Sequence, residues 1–426
     1  MKFVSGPLAT LPWQQQLNSV AAFAVPGMAL WLPSGYSYGA ALLLIGALFS
    51  IRKWPFEKQQ ALTLWFAACI FSMGLLWVAM ADPVAGLGGQ ADRPVKFLLA
   101  LPCLFYAAVF GTRPRAFFWG LVVGCIGAGA LAAWQVYGLG EWRATGRTNA
   151  IQYGNLALLL AVLLAVFVAT VHKQLSVGEK VLAAVAIVAG MDASVLSLSR
   201  GGWLSLIVAM PFGLVLLYRY RARLFWRVIV GLMVVGGLMS VLNRGMLATR
   251  WDEMTSEIRV YESTRDANTS VGQRLEHWRF AWDAGKEKPL LGWGVAGYTQ
   301  EKQKRVAAGL YKPAIIEYKF VHNEVLDVFV KTGVVGLALL LWFYILPIWM
   351  FWPTGERMRA YEGGDPALRR MVLAVRLCGV CVPVLYVGFG LTQVFFAHNS
   401  GIMFYLFSLI LLWSMLQGLE RSRPAA

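Results

Sequence analysis

The stretch NLALLLAVLLAVFVATV (residues 155–171) is apolar except for its first Asn and one Thr near its end. Such a run is long enough to cross the hydrocarbon core of a bilayer as an α-helix, which satisfies its own backbone hydrogen bonds. A polar run, HKQLSVGEK (172–180), follows at once. The sequence therefore predicts a membrane-spanning helix that ends in a basic loop.

The same pattern repeats along the whole chain of 426 residues, of which 58% are hydrophobic and 14% charged. The mean hydropathy is +0.59, far above that of soluble domains. Apolar runs predict twelve spans, near residues 17–33, 36–51, 61–81, 96–111, 116–137, 155–171, 181–198, 202–218, 228–242, 326–352, 371–396 and 400–418. We expect an all-α integral membrane protein with about twelve transmembrane helices.

The formal net charge of +16 is distributed in short loops rather than on one face, which argues against a nucleic-acid partner. Alternate loops, with the two termini, carry 18 Lys and Arg, whereas the short loops between them carry five. Basic loops stay on the cytoplasmic side of a membrane. The sequence therefore predicts a membrane protein with both termini cytoplasmic.

One long polar segment, residues 243–325, interrupts the spans, and this topology places it outside the cytoplasm. We therefore divide the chain into residues 1–242 with nine spans, a periplasmic loop domain at 243–325, and residues 326–426 with three spans. Within the loop, SVGQRLEHWRFAWDAG (270–285) has capping-box spacing at Ser270 and Gln273. We expect an amphipathic helix on the membrane surface, with Trp278 and Trp282 turned toward lipid or toward the bundle.

Several arginines on the predicted outer side could bind an anionic group. Arg200 lies in LSLSRGGW (196–203) at a span boundary, Arg274 lies on the surface helix, and Arg147 lies in another outer loop. A guanidinium offers a planar fork of donors that suits phosphate. Arg200 could instead fix a helix end, and a solvated helix face is the expected place for Arg279. Asp192, inside a span, is either a functional or a packing acid.

His322 stands in FVHNEVLDVF (320–329), where the polar segment meets a span. Histidine is a suitable general base near neutral pH, although a histidine at a helix start is often a cap or an interface residue. His277 falls on the surface helix and His398 at another outer turn. Neither a DxD motif nor a clustered spacing of His and acids suggests a metal site, so we expect no metal and no cofactor.

Three segments in order resemble the O-antigen ligase and polymerase superfamily of bacterial membrane glycosyltransferases. They are LSLSRGGW (196–203), QRLEHWRFAWDAGKEKPLLGWGVAGY (273–298) and HNEVLDVFVKTGVVGL (322–337). The resemblance implies a GT-C-type helical fold that transfers a glycan from undecaprenyl diphosphate on the periplasmic side. It also implies that Arg200 and Arg274 bind the diphosphate and that His322 is catalytic, with Arg147 and Asn323 as further candidates.

Within that superfamily the single large loop favours an O-antigen ligase, whose acceptor is lipid A-core. An O-antigen polymerase or a protein O-oligosaccharyltransferase would carry the same motifs. A lipid-linked glycan transporter or flippase is the alternative of a different class. Against it, the polar candidates concentrate at the outer face rather than at mid-membrane, and the two halves show no similarity.

Overall fold

The computed structural model describes residues 12–80, 92–199, 201–213 and 244–422, with four isolated positions between 215 and 226. Its described residues are predominantly helical, which confirms the all-α class. The helices are α1 (Trp13–Met28), α2 (Tyr36–Phe49), α3 (Ala61–Ala79), α4 (Asp92–Phe110), α5 (Pro114–Ala133), α6 (Ala150–Val171), α7 (Val177–Leu196), α8 (Gly201–Gly213), α9 (Arg244–Thr264), α10 (Ser270–Glu287), α11 (Gly294–Ala307), α12 (Glu324–Phe351), α13 (Gly355–Arg359), α14 (Pro366–Gly390) and α15 (Asn399–Arg421).

Among the described residues, seven helical segments are long and apolar enough to cross a membrane. They begin at Ala61, Asp92, Pro114, Ala150, Glu324, Pro366 and Asn399. Helices α2 and α8 are apolar but shorter. The predicted span at 228–242 lies outside the described residues. The protein is thus a multi-pass membrane protein, while twelve spans, the periplasmic loop and the GT-C type stay predictions.

Two compact units make up the chain. The first includes described residues of Met1–Ser205, Ala338–Phe389 and Phe395–Ala426, and the second those of Leu206–Leu337 and Gly390–Val394. In the first unit α1 packs on α5, where a Cβ added to Gly120 would lie 2.4 Å from the carbonyl oxygen of Phe23. Small residues let membrane helices approach this closely.

The second unit has its own hydrophobic core, which α10, α11 and the start of α12 share. Its buried side chains are Phe280, Ala281, Ala284, Tyr298, Tyr311, Ile315, Val321 and Val330. Helix α11 and its role in this core had no counterpart in our sequence expectations. The predicted boundaries at 242/243 and 325/326 stay predictions.

The prediction for α10 was right about the helix but wrong about its cap and about Trp278. The cap is Thr269, whose side chain accepts a hydrogen bond from the Gly272 amide at 3.0 Å, and not Ser270. The fully buried face carries Glu276, His277 and Phe280. Trp278 packs against the core and donates to the Val321 carbonyl at 3.2 Å, so it does not face lipid.

Helix α12 is broken at Gly333, which has φ 63° and ψ −160°. The segment Lys288–Trp293, hereafter the PLLG loop, lies against this break. The amide of Val334 donates to the Pro289 carbonyl at 2.8 Å, and the amide of Trp293 donates to the Val330 carbonyl at 3.0 Å. A Cβ on Gly333 would lie 2.2 Å from the Leu290 carbonyl oxygen, so glycine is required for this approach.

Candidate active site

His322 occupies an uncommon backbone conformation directly before α12. Its φ is +57°, a left-handed value that non-glycine residues rarely adopt and that concentrates at functional sites. Asn323, not His322, caps the helix: its side-chain oxygen accepts from the Leu326 amide at 3.1 Å, and its side-chain nitrogen donates to the Leu391 carbonyl at 3.3 Å. The imidazole is therefore not needed as a cap.

The imidazole of His322 has one ring nitrogen engaged. Its Nδ1 lies 2.8 Å from Oε1 of Gln393, a buried side chain. Because an amide oxygen can only accept, the proton of the neutral ring sits on Nδ1. This tautomer leaves the lone pair of Nε2 as the ring's proton acceptor.

Burial lowers the pKa of His322 below its ordinary value, and the positive charge of Arg274 lowers it further. The hydrogen bond to Gln393 and the charge of Asp327 act in the opposite direction without reversing the shift. The ring is therefore neutral at pH 7. The same effect places the Arg274 guanidinium within electrostatic reach of His322. The assignment of the two residues to one site stays a prediction.

A buried ion pair lies one turn inside α12. Nζ of Lys331 lies 2.7 Å and 2.8 Å from the two carboxylate oxygens of Asp327, and both side chains are almost fully buried. The same carboxylate accepts from the Val321 amide at 3.1 Å. Asp327 therefore holds the backbone of the residue that precedes His322.

Two lysines donate hydrogen bonds to backbone carbonyls that come slightly earlier in the same segment. Nζ of Lys302 donates to the Tyr318 carbonyl at 2.5 Å, and Nζ of Lys331 lies 3.4 Å from the Lys319 carbonyl. Burial, with the nearby charge of Lys331, lowers the pKa of Lys302 to about 8. Buried polar side chains thus bond to residues 318, 319 and 321, immediately before the histidine.

His277 does not lie on an exposed surface, as its place on a surface helix implied, but is fully buried. Its Nε2 lies 2.7 Å from the Ile315 carbonyl oxygen, so Nε2 carries the proton. Its ring centroid is 6.3 Å from that of His322. Burial lowers the pKa of His277 to about 4, and the nearby charges of Lys302 and Lys331 act in the same direction.

Arg200 lies outside the described residues, but the residues around it are described. The hydroxyl of Ser199 donates to Asn155 Oδ1 at 3.0 Å, and a Cβ on Gly202 would lie 2.9 Å from the same oxygen. The close approach of Gly202 to α6 is therefore explained by helix packing. Ligand binding by Arg200 stays a prediction.

The other polar candidates have the following places. Arg147 and Asp192 are exposed residues of the first unit, at a turn and on α7 respectively. His398 precedes α15 in that same unit. Arg279 is partly exposed, and its guanidinium pairs with Glu276 at 2.9 Å and lies over the Tyr311 ring at 4.4 Å. The roles of Arg147, Asp192 and His398 stay open.

The sequence reasoning missed Gln393, Asp327 and Lys302 as partners of the candidate site. Gln393 is 71 positions from His322 along the chain, and its only signal was a polar residue inside LTQVFF (391–396). Asp327 and Lys331 were visible as an i, i+4 pair of opposite charges in an apolar segment. That spacing could have indicated a buried ion pair.

The fold and the site together define a class: a multi-pass helical membrane protein with a polar unit that holds a neutral histidine beside an arginine. Residues 183–341 match the family model described as O-antigen ligase. This match confirms the resemblance drawn from the three motifs over that part of the chain. A protein of Haemophilus influenzae, itself uncharacterized, is 26% identical over 385 residues, which cover 88% of this chain and 92% of that protein.

Proposed function

We propose that the protein is an O-antigen ligase of the bacterial inner membrane, which transfers a glycan from undecaprenyl diphosphate to a hydroxyl of lipid A-core. The polar unit would then lie on the periplasmic side. The observation that carries the proposal is the pairing of His322 Nδ1 with Gln393 Oε1 at 2.8 Å, within electrostatic reach of Arg274. This arrangement offers a base and a fixed positive charge in one place.

In the proposed reaction His322 Nε2 accepts the proton of the attacking acceptor hydroxyl. The hydroxyl oxygen forms a bond to the anomeric carbon of the donor sugar while the bond from that carbon to the diphosphate oxygen breaks. The electron pair and the negative charge leave with the undecaprenyl diphosphate. Nε2 then returns its proton to the leaving group or to solvent.

Arg274 has the role of stabilising the diphosphate as its charge develops, because a guanidinium donates two parallel hydrogen bonds to phosphate oxygens. Arg200 is assigned to the same group, as the resemblance implies, with Arg147 as a further contact. Asn323 uses its side chain to cap α12 and to bind Leu391, so we assign it to positioning His322. We expect transfer to persist in EDTA, and a requirement restored by magnesium would contradict this arginine-based account.

A deletion strain tests the reaction class. Accumulation of full-length polymer on the carrier, with lipid A-core left unmodified, would support the ligase. Lipid A-core capped with a single repeat unit would identify a polymerase instead, and unglycosylated protein with normal lipopolysaccharide would identify a protein O-oligosaccharyltransferase. Donor confined to the cytoplasmic leaflet would identify a flippase.

A further inference from the structure

The PLLG loop carries the most exposed leucines among the described residues of the second unit. Leu290 and Leu291 are 67% and 72% exposed and adjacent in the chain, and a contiguous exposed apolar patch marks a site of interaction with a membrane or a partner. The loop is not loosely attached, because its backbone is hydrogen-bonded to α12 on both sides of Gly333. A rigid backbone therefore presents these two leucines outward.

The surface around the loop is also apolar and continues onto α12. Val334 and Val335, the first residues after the break, are exposed, and the amide of Val335 lies 3.4 Å from the Leu290 carbonyl oxygen. These valines begin the apolar part of a helix that can cross a membrane. The leucines thus lie beside the point where the exposed side chains of α12 become apolar.

Basic and aromatic residues border this surface. Trp282 is half-exposed, and Nζ of Lys286 lies 5.7 Å from the centroid of its ring. Nζ of Lys288 lies 3.8 Å from the centroid of the Trp293 ring. Tryptophan and lysine of this kind are enriched where a membrane protein crosses the headgroup region, with lysine reaching toward phosphate.

We propose that the PLLG loop is a membrane anchor: Leu290 and Leu291 insert into the acyl chains of the leaflet next to the second unit, with Lys286 and Lys288 at its headgroups. The occupant is bilayer lipid, because the exposed surface is continuous with the exposed start of the apolar part of α12, a helix long and apolar enough to cross a membrane. Anchoring of a loop that is bonded to α12 would keep the segment that carries His322 at a constant height above the membrane. The anchor does not depend on which reaction the site catalyses.

Spin labelling tests this proposal in the full-length protein, reconstituted without donor in vesicles of phosphatidylethanolamine and phosphatidylglycerol. Leu291→Cys carries the label, and Leu310→Cys is the matched control, because Leu310 is similarly exposed in the same unit. The parent protein without an introduced cysteine, treated with the same spin label, gives the background from the five native cysteines. Collision rates are measured with oxygen, which enters lipid, and with a water-soluble nickel chelate.

We expect the label at 291 to collide mainly with oxygen and the label at 310 mainly with the chelate, so that the ratio of the two rates reverses between the positions. A label at 291 that collides mainly with the chelate would overturn the proposal. Shielding from both reagents would also overturn it, because protein would then cover the loop. Protection that appears only after lipid-linked donor is added would assign the surface to the donor's tail and not to bilayer lipid.

A second experiment uses substitution of the leucines themselves. It compares the double variant Leu290→Asp with Leu291→Asp against the control Leu310→Asp. We expect the double variant to lose oxygen contact of a label at Trp282→Cys, which borders the loop, while Leu310→Asp leaves that contact unchanged. An unchanged label at 282 in the double variant would contradict anchoring by the leucines. Because this readout needs no glycan transfer, it tests the membrane anchor independently of the proposed ligase activity.

Discussion

Nδ1 of His322 lies 2.8 Å from Oε1 of Gln393, and this contact determines which ring nitrogen carries the proton. The pKa of His322 is lowered chiefly by burial. A reaction that needs the neutral ring therefore loses rate as the pH falls through a value below 6.5, the pKa of an unperturbed histidine. The pH profile of transfer reports on this contact directly.

Gln393→Glu should move the acidic limb of that profile to higher pH. A carboxylate beside Nδ1 favours the imidazolium, and an opposite charge at this distance raises a histidine pKa by about 1 to 3 units. Gln393→Leu, which removes the acceptor without adding charge, is the matched control and should lower the rate without an upward shift. The measurement is kcat against pH with purified donor and acceptor, and identical limbs in all three proteins would remove His322 as the titrating base.

Acid should destabilise the second unit through His277. Its pKa is about 4 in the folded protein and about 6.5 when unfolded, so the unfolded state binds more protons between these values. The free energy of unfolding should therefore fall as the pH drops from 6.5 to 4, by roughly 3 kcal/mol at most, and stay level below that window. Melting temperatures across this range provide the measurement.

His277→Gln isolates the contribution of His277 to this acid sensitivity. The glutamine amide can still donate to the Ile315 carbonyl but does not titrate, so part of the pH dependence should disappear. His172→Gln is the control, because His172 lies outside the second unit and its ring is not fully buried. Equal pH dependence in wild type and His277→Gln would show that the buried ring does not titrate as described.

Removing only one partner of the ion pair between Asp327 and Lys331 should lower the free energy of unfolding strongly. Lys331→Met leaves a buried carboxylate without its cation, and such losses typically cost about 3 to 5 kcal/mol. Asp327→Leu combined with Lys331→Met removes both charges and should recover much of that stability. It also removes the acceptor of the Val321 amide, so we expect a low kcat despite a recovered melting temperature.

Asp327→Asn with Lys331→Met separates the hydrogen bond from the charges. Asparagine keeps an oxygen that can accept from the Val321 amide. This double variant should therefore retain more activity than Asp327→Leu with Lys331→Met. The donor KM should be similar in both, because the change acts on the backbone before His322. Equal kcat values in the two double variants would show that the Val321 contact does not position the histidine.

Arg274 and Arg279 should behave differently when each is replaced by alanine. Arg274→Ala should abolish transfer while the melting temperature stays near that of wild type, with partial activity in Arg274→Lys. Arg279→Ala should lower stability, because Arg279 pairs with buried Glu276 and lies over Tyr311. Loss of transfer in Arg279→Ala at temperatures where the protein stays folded would contradict this division of roles.

The positions of the helices could be predicted from the sequence because apolar runs of bilayer length are a local property. Helices occupy most of the predicted segments that the structure describes, including 155–171 within α6. The break at Gly333 could not be predicted in the same way. It depends on hydrogen bonds from α12 to the PLLG loop, some 40 positions earlier in the chain.

Only some members of the candidate site were named from the sequence, and their roles stay predictions. Arg274 and His322 came from motifs, and the charge of Arg274 does act on His322. Gln393 could not be found, because contacts between distant segments leave no periodic signal. The environment of Trp278 was misjudged because the spacing of the tryptophans does not show that the buried face uses the small residues Ala281 and Ala284 beside Phe280.

The central claim is that neutral His322 accepts the proton of the attacking hydroxyl, and its most direct test is transfer by purified His322→Ala with and without added imidazole. Wild type serves as the reference, and melting temperature controls for folding. We predict that His322→Ala stays folded, binds donor with unchanged affinity, loses transfer, and regains part of it when imidazole is added. Transfer by His322→Ala at the wild-type rate, without imidazole, would contradict the account.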